Sequence, residues 1–574
     1  MDLFTGLRGF ALRAIKRNKS VDRNLQLIRR RLQAMGVMQG FPRLGTKLSS
    51  DHSWRLALDQ IETGKKILVA TSLGSHLAAM QMETALVGAL TFRGANVHTL
   101  LCNGILPACQ LCEPRLYPQA VELGADGPQQ KLCGDCHLPG RQSYESMGIP
   151  VHLYGTYLRE EDYGYASVTA QSIAATEARE FEVAGICVGE HAMAGTLRYF
   201  ARATLDDEPC GERVLRRYLE AAILTARAVD RLLEREKYEV IVFHHGIYVP
   251  QGIVGEVARK QGVRVVNWNP AYRKNCFIFS HGDTYHHTLM SEPTSEWENL
   301  PWDAAVKARL LEYLRSRWQG DNDWIRFTER PFFDKDRILS EIGCDPARPI
   351  IGLLTNVAWD AQLHYPANAF PNMLDWLVIT IQYFEQRQDL QLVIRVHPAE
   401  LRGSVPTRQP VVDMLQSCFS ILPKNVFVVP PESEISTYSL AELCDSVLIY
   451  GTKTGVELTA VGIPVFVAGE AWIRNKGITE DAVSPESYLA LLDKLPIGKR
   501  LSAEVVERAR KYAYHFFFRR MIPVGIFREN TGSPPYLLRE DAVERLKPGG
   551  DPGLDCICEG IMENRPFVFS GAQA

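Results

Sequence analysis

The residues of this chain best equipped to hold an anion lie in two short segments. In "VIRVHPAE" an imidazole, His397, follows an apolar run and precedes Pro398 and Glu400. A proline behind it limits where the ring can point, and an imidazole so placed donates a hydrogen bond to a phosphate or a leaving oxygen near neutral pH. In "VLIYGTKTGVE" the residues Gly451, Thr452, Lys453, Thr454 and Gly455 lie between an apolar run and a helical pattern. Glycines let the backbone approach a ligand, the two hydroxyls and the lysine donate, and a helix start favours negative charge. The segment is not a Walker loop. Thr454 and Glu457 also form a T-x-x-E capping box, which any helix can use.

A second cluster is made of thiols. Cys109-x-x-Cys112 and Cys133-x-x-Cys136 have twenty residues between the pairs, the spacing of a structural zinc site. Four thiolates close a tetrahedron and leave no place for water, so such an ion folds its insert and takes no part in chemistry. An iron–sulfur cluster and unligated thiols are the alternatives. Cys187, Cys276 and Cys444 sit in apolar surroundings and read as core residues.

The elements that position these groups follow from hydrophobic patterning. "KKILVATSLGSHLAAMQMETALVGALTFRGANVHTLLC" reads as strand, turn, helix and strand, and "YEVIVFHHGIYVPQGIVGEVARKQGVRVVNWN" as a second such unit. Further on, "IIGLL", "LQLVIRV", "NVFVV", "SVLIY" and "PVFVA" alternate with helical stretches. Strands alternating with helices imply parallel sheets with both faces covered. The expected fold is α/β, with two Rossmann-like domains facing a central crevice and a four-cysteine insert in the first. The boundaries read as a basic helical segment over 1–60, a first domain over 61–330 with its insert at 103–140, a second domain over 331–500, and a crossover helix and tail over 501–574. The aromatic helix near "RARKYAYHFFFRRMIPV" is expected to cross back onto the first domain.

At 574 residues the chain exceeds what one core usually supports. A net charge of -3 gives no bulk attraction to nucleic acid. No run of about 18 uncharged apolar residues is present, and no secretory leader is recognisable, which places the protein in the cytoplasm. Residues 1–33 combine Arg8, Arg13, Lys16, Arg17 and further basic residues with apolar residues at helical spacing. Such a helix suits the inner face of an anionic membrane; docking on its own domain or on another subunit is the alternative.

"RVHPAE" followed by "YGTKTGVELTAVGIPVFVAGEAW" resembles the capsule polysaccharide biosynthesis family, relatives of capsular Kdo transferases, polysialyltransferases and teichoic-acid glycerophosphotransferases. The resemblance spans roughly residues 350–530. It implies a two-domain GT-B fold and a glycosyltransferase that moves a sugar from a nucleotide-activated donor, without a catalytic metal, to a surface glycan or lipid-linked glycan. By the same resemblance His397 and Pro398 take the role of a His-Pro motif, Thr452 and Thr454 that of a Ser/Thr motif, and Glu457 that of a ribose ligand. Thr-Lys-Thr replaces the family's serine pair. Inverting transfer needs a base near the acceptor hydroxyl, for which Glu190 and His191 are the first candidates; His244, His245 and His286 are expected to contact substrate, with metal binding by the histidines as the rival reading. CDP-activated glycerophosphate transfer and a non-catalytic assembly factor with a degenerate GT-B fold are the alternative functions. No G-x-G-x-x-G opens either domain, which argues against a dinucleotide oxidoreductase.

Overall fold

The computed structural model describes residues 19–61, 64–319, 334–361, 366–403 and 405–571; the first half of the basic N-terminal segment lies outside the described residues. The first sheet opens with β1 (Lys66–Ser72), β2 (Asn96–Leu101) and β3 (Val151–Leu153). A small hairpin, β4 (Glu182–Val183) and β5 (Ile186–Cys187), stands apart, and β6 (Val240–His244), β7 (Arg264–Pro270) and β8 (Cys276–His281) complete the run. The second sheet contains β9 (Ile350–Leu354), β10 (Gln391–Arg395), β11 (Val426–Val429), β12 (Ser446–Ile449), β13 (Val465–Val467) and β14 (Glu480–Asp481). A last short strand, β15 (Ile522–Pro523), returns to the first sheet.

The first sheet runs β15-β8-β7-β6-β1-β2-β3, parallel from β7 to β3, with β8 antiparallel to β7 and β15 antiparallel to β8. The second runs β11-β10-β9-β12-β13-β14 and is parallel throughout. Strands such as β1, β6, β9 and β10 are apolar without alternation because helices cover both of their faces. All five strands expected in the second domain are present. Strand order reverses between β1 and β6 in one sheet and between β9 and β12 in the other. In such sheets the crevice for ligands opens outside the carboxyl ends at the reversal.

Two segments belong elsewhere than their sequence position suggests. Helix Ala304–Gln319 follows the first domain in the chain, yet Leu310, Tyr313 and Leu314 pack in one cluster with Ile350, Val456 and Tyr512 of the second. The Pro- and Gly-rich stretch beyond residue 531, read as a tail, is part of the first domain. After helix Ala503–Tyr514, whose Ser502 accepts from the Val505 amide at 3.3 Å, the chain passes through a π-turn at His515–Arg520 and enters β15. Tyr536, Leu546, Leu554 and Ile557 then join Ile67, Val69 and Val87 in one core. This second cover explains why helix Leu77–Phe92 is buried on all sides. At Gly88 a Cβ would stand 2.9 Å from the Leu546 side chain.

Because Ile67 and Ile557 are both fully buried in that one core, Ile557→Ala should lower the stability of the first domain by about 2–5 kcal/mol. In denaturant titrations it should shift the same transition that Ile67→Ala shifts. A normal midpoint for Ile557→Ala would mean that the C-terminal segment is only loosely attached.

Candidate functional site

At the mouth of the second sheet, β9 is flanked by β10 on one side and β12 on the other, so the residues leaving these three strands meet. Thr355 follows β9, and its Oγ1 accepts from the His397 amide at 3.0 Å, tying the exit of β10 to that of β9. One residue before the exit loop, Arg395 is 2% exposed and donates to the carbonyls of Val396, Pro430 and Ser433 at 3.2, 2.6 and 3.1 Å, fixing the neighbouring loop. His397 Nδ1 accepts from the Ala399 amide at 3.1 Å, which assigns the ring proton to Nε2. Burial, then Lys453 and Arg395, push the imidazole down to about 4 against the opposing pull of Asp360. At neutral pH the ring is therefore uncharged and donates through Nε2.

Across β9, the turn after β12 presents Thr452 and Thr454, whose hydroxyls lie 3.1 Å apart, and the Thr454 amide donates to Thr452 Oγ1 at 3.3 Å. Lys453 Nζ sits 4.7 Å from the centre of the Tyr272 ring, a contact between the two domains. Gly451 lets the turn pass close to the loop after β9: a Cβ there would stand 3.1 Å from Asn356 Nδ2 and from the Glu470 carbonyl. Asn356 Oδ1, at the strand-order reversal, is buried with no hydrogen-bond partner among the described residues.

Two residues expected to touch the donor are turned inward. Glu457 is 0% exposed and is held by Arg317 at 3.0 Å, Lys453 at 3.0 Å and the Tyr438 hydroxyl. Burial alone would raise its carboxyl, but Arg317, Lys453 and Tyr438 hold it at about 2. It orients Lys453 and does not face a ribose. Glu400 is 3% exposed and accepts from the Val411 amide at 3.3 Å. Burial raises its carboxyl to about 7, so it serves the start of helix Val411–Cys418 and not a ligand. Pro398 is buried at the start of the short helix Ala399–Arg402.

The first sheet presents its own mouth at β1 and β6. His76 follows β1, His244 ends β6, and His245 comes next with φ +67°. The rings of His76 and His244 are 4.8 Å apart, those of His244 and His245 5.5 Å, and those of His245 and Tyr248 4.9 Å. Arg198 lies over Tyr248 at 5.3 Å. Burial first, and Arg198 next, hold His76 at about 4 and His245 at about 3, and burial drives His244 well below the ordinary range. His286 is likewise lowered to about 3 by burial and by His245 and His287, with Asp360 opposing.

Asp360, from the loop after β9, joins the two mouths. Tyr248 donates to its Oδ1 at 2.7 Å, the Ala361 amide donates to the Tyr248 hydroxyl at 3.1 Å, and its charge is felt by both His286 and His397. His286 also packs on Trp472 of the second domain, with ring centres 5.8 Å apart. The expected substrate contacts His244, His245 and His286 are thus brought to one crevice with His397, Thr452 and Lys453. Two facing Rossmann-like domains with opposed strand-order reversals constitute a GT-B-like α/β architecture.

The expected bases are elsewhere. His191 is 2% exposed, its Nδ1 lies 2.6 Å from the Ile247 carbonyl and its Nε2 3.5 Å from Glu256. It props the β6 exit loop from beneath. Glu190 opens helix Gly189–Phe200, whose other end carries Arg198 into the crevice. Eight residues of helix put Glu190 about 12 Å away along the axis. His76, Arg198, Tyr248, Thr355, Asn356 and Asp360 were not anticipated. The rule that ligands gather at strand exits points to His76 behind β1; nothing in "NVAWD" distinguishes Asp360.

The cysteine insert lies directly behind this mouth. All its cysteines are free of disulfides, and Cys109, Cys112, Cys133 and Cys136 line one cavity together with Cys102. Cys109 and Cys112 span a turn closed by a 2.9 Å amide–carbonyl bond, and Cys133 and Cys136 stand one turn apart on helix Gln130–Glu145. Their sulfurs surround the cavity without closing a tetrahedron: among the described residues only His98, His152 and Glu236 bring three ligand atoms within 4.8 Å of one another. The Ser75 amide donates to Cys136 Sγ at 3.2 Å, the Gln110 amide to the Val249 carbonyl at 2.9 Å, and Arg198 to the Gln110 carbonyl at 3.0 Å. The insert therefore braces the exit loops of both β1 and β6.

No protein-family model matches the sequence, and no curated protein matches it. Among solved structures, the chain is similar to the beta Kdo 2,4 transferase KpsC of Thermosulfurimonas dismutans, at 13% identity over 54% of this chain and 88% of that one, with a TM-score of 0.33. It is also similar to sucrose-phosphate synthase from Thermosynechococcus elongatus, at 11% identity over 79% and 95% of the two chains, with a TM-score of 0.28. A third is UDP-GlcNAc 2-epimerase from Neisseria meningitidis bound to UDP-GlcNAc, at 11% identity over 78% and 95%, with a TM-score of 0.23. The strand orders, and not these distant likenesses, define the fold.

Glu457→Gln should destabilise the second domain by about 3–5 kcal/mol, because it leaves Arg317 buried without its anion. A carboxyl lowered on folding stabilises above its unfolded range and loses that contribution as pH falls through the folded value. The gap in melting temperature between the wild type and the variant should therefore be full above about pH 4.5 and shrink towards pH 2. A gap independent of pH would place the effect outside this ion pair.

Proposed function

We propose that this chain is a metal-independent glycosyltransferase that takes a sugar from a nucleotide-activated donor and passes it to a surface or capsular polysaccharide acceptor. The observation that carries this reading is the convergence of the His397 imidazole, the Thr452 and Thr454 hydroxyls and Lys453 on the β9 reversal, opposite the His76, His244 and His245 mouth. The donor phosphates would take the uncharged His397 Nε2–H, the threonine hydroxyls and the lysine as ligands. Such groups stabilise the negative charge that grows on the leaving phosphate as the glycosidic bond breaks.

The acceptor would enter from the first domain. For inverting transfer the base is Asp360, the carboxylate that reaches both mouths and is oriented by Tyr248. His245 and His286 would bind hydroxyls of the acceptor. Among the described residues no helix is long and apolar enough to cross a membrane. Helix Lys19–Ala34 and the residues after it expose Leu25, Ile28, Met35 and Val37, which supports peripheral contact with a membrane that carries a lipid-linked acceptor.

The four insert cysteines are proposed to hold a structural zinc ion. Two C-x-x-C pairs on a turn and a helix face one cavity, and rotation of their side chains would close the site. The ion would contribute folding energy by displacing the thiol protons. It would stiffen the loops that carry His76 and Tyr248.

The donor assignment is tested by thermal shift with CMP, CDP, UDP and GDP. One nucleotide should raise the melting temperature, by an amount set by its concentration over its Kd, and His397→Ala should abolish that rise. Asp360→Asn should keep the rise while lowering sugar transfer by about a hundredfold or more. Indifference of the wild type to every nucleotide would instead favour a non-catalytic assembly factor.

For the insert, cobalt-loaded protein should show the thiolate-to-cobalt charge-transfer band of a sulfur-ligated ion, and Cys133→Ser should weaken it. A wild type without that band would retire the metal reading of these cysteines.

A further inference from the structure

At the pole of the first domain away from the crevice, a group of polar side chains lies between the edge strands and the end of a helix. His98 is on β2, His152 on the three-residue edge strand β3, and Glu236 is the last residue of helix Gly211–Glu236. His98 Nδ1 and His152 Nε2 face each other at 2.9 Å, and the Tyr238 hydroxyl stands 2.8 and 2.9 Å from the same two atoms. One ligand atom from each of His98, His152 and Glu236 lies within 4.8 Å of the others, and all three residues are partly exposed. None of these residues touches the site proposed for sugar transfer.

The triangle is poorly explained as hydrogen bonding alone. Tyr238 has one proton to give, and two facing imidazole nitrogens can share only one more, so the three mutual contacts cannot all be hydrogen bonds. The other nitrogen of His152 is 2.6 Å from the Tyr157 hydroxyl. That contact is the outer-sphere hydrogen bond that fixes ring orientation in metal sites, because a ligating imidazole usually donates its remaining N–H to an oxygen. Two nitrogens bound to one tetrahedral ion are about 3.3 Å apart, which a small rotation of either ring reaches. Lys66 Nζ lies 2.8 Å from Glu236 Oε2, so in this arrangement the lysine occupies the place that a cation would take.

We propose that His98, His152 and Glu236 form a second metal site, selective for a borderline divalent transition ion such as zinc, cobalt or nickel. Two imidazoles and one carboxylate match that class of ion, whereas magnesium and calcium prefer all-oxygen sites. The ion displaces Lys66 from Glu236 and staples β3, the short edge of the sheet, to β2 and to the helix that leads into β6. Its role is structural, because it sits at the amino-terminal end of the strands, remote from the exit loops.

The full chain, stripped with chelator, is titrated with cobalt and followed by visible absorption and by melting temperature. Beside the thiolate-ligated ion proposed for the cysteine insert, wild type is expected to bind a second cobalt ion that adds no thiolate charge transfer, and to gain further thermal stability from it. His98→Gln/His152→Gln should lose both effects, and Glu236→Gln, which leaves the rings in place, should weaken binding by about tenfold or more. Lys66→Met should tighten binding by removing the competing ammonium, a change that a purely structural hydrogen-bond cluster would not produce. Should the double variant fail to fold, the Glu236→Gln and Lys66→Met pair decides the matter. A wild type that takes up no nitrogen-ligated cobalt, or affinities unchanged in both single variants, overturns the proposal.

Discussion

The crevice exists only while the parallel strands of two sheets keep their carboxyl ends turned towards each other, and the crossing segments enforce this. The chain leaves the first domain at Glu292 and comes back through the π-turn at His515–Arg520, and these two passages are bound together. His515 Nε2 stands 3.0 Å from one Glu292 oxygen and Arg520 Nε 3.2 Å from the other, while Lys476 of the second domain donates to the Glu292 carbonyl at 3.0 Å. Burial would raise the Glu292 carboxyl, but Arg520 and His515 hold it at about 2. Removing one member would leave an uncompensated charge inside the junction. The extra residue of a π-turn is rare and costly, and such turns recur where function needs a helix re-aimed; here it sends the chain from one sheet into the other.

From that junction outward, each catalytic candidate is held by a buried group that itself touches no ligand. Arg395 sets the loop after β10, Thr355 sets the His397 amide, Glu457 and Arg317 set Lys453, and the cysteine insert sets Ser75 and Arg198. Charge and hydrogen bonding are thus concentrated below the surface of the crevice, and the surface itself presents imidazoles, hydroxyls, Lys453, Arg198 and the Asp360 carboxylate.

The fold was largely legible in the sequence because its strands are covered on both faces. "IIGLL", "SVLIY" and "VIVF" can be buried nowhere else, and His397 and the Thr452–Thr454 turn stand out because strand exits are where parallel sheets place ligands. What stayed hidden depends on partners far along the chain. The destination of Glu457 is decided by Arg317, 140 residues earlier, and that of Glu400 by the Val411 amide. β15 is two residues long and is recognisable only beside β8. The segment beyond residue 531 is rich in turn formers and becomes core only because helix Leu77–Phe92 needs a second cover.

The helix expected to carry the base shows the same limit at finer scale. Glu190 and Arg198 share one helix, and the sequence shows that the helix exists without showing which end meets the crevice. The geometry decides it through His191, in the first turn, which is wedged under Gly252 at the start of the helix after the β6 exit loop, where a Cβ would stand only 2.2 Å from the ring. With its first turn held there, the helix carries Arg198 and Ala201, at its carboxyl end, to Tyr248 and the loops of the second domain. Ala201 accordingly accepts at its carbonyl from the Arg408 amide at 2.9 Å. The helix that was expected to supply a proton acceptor instead supplies a cation and a brace between the domains, and the carboxylate in reach of the crevice comes from the opposite sheet as Asp360.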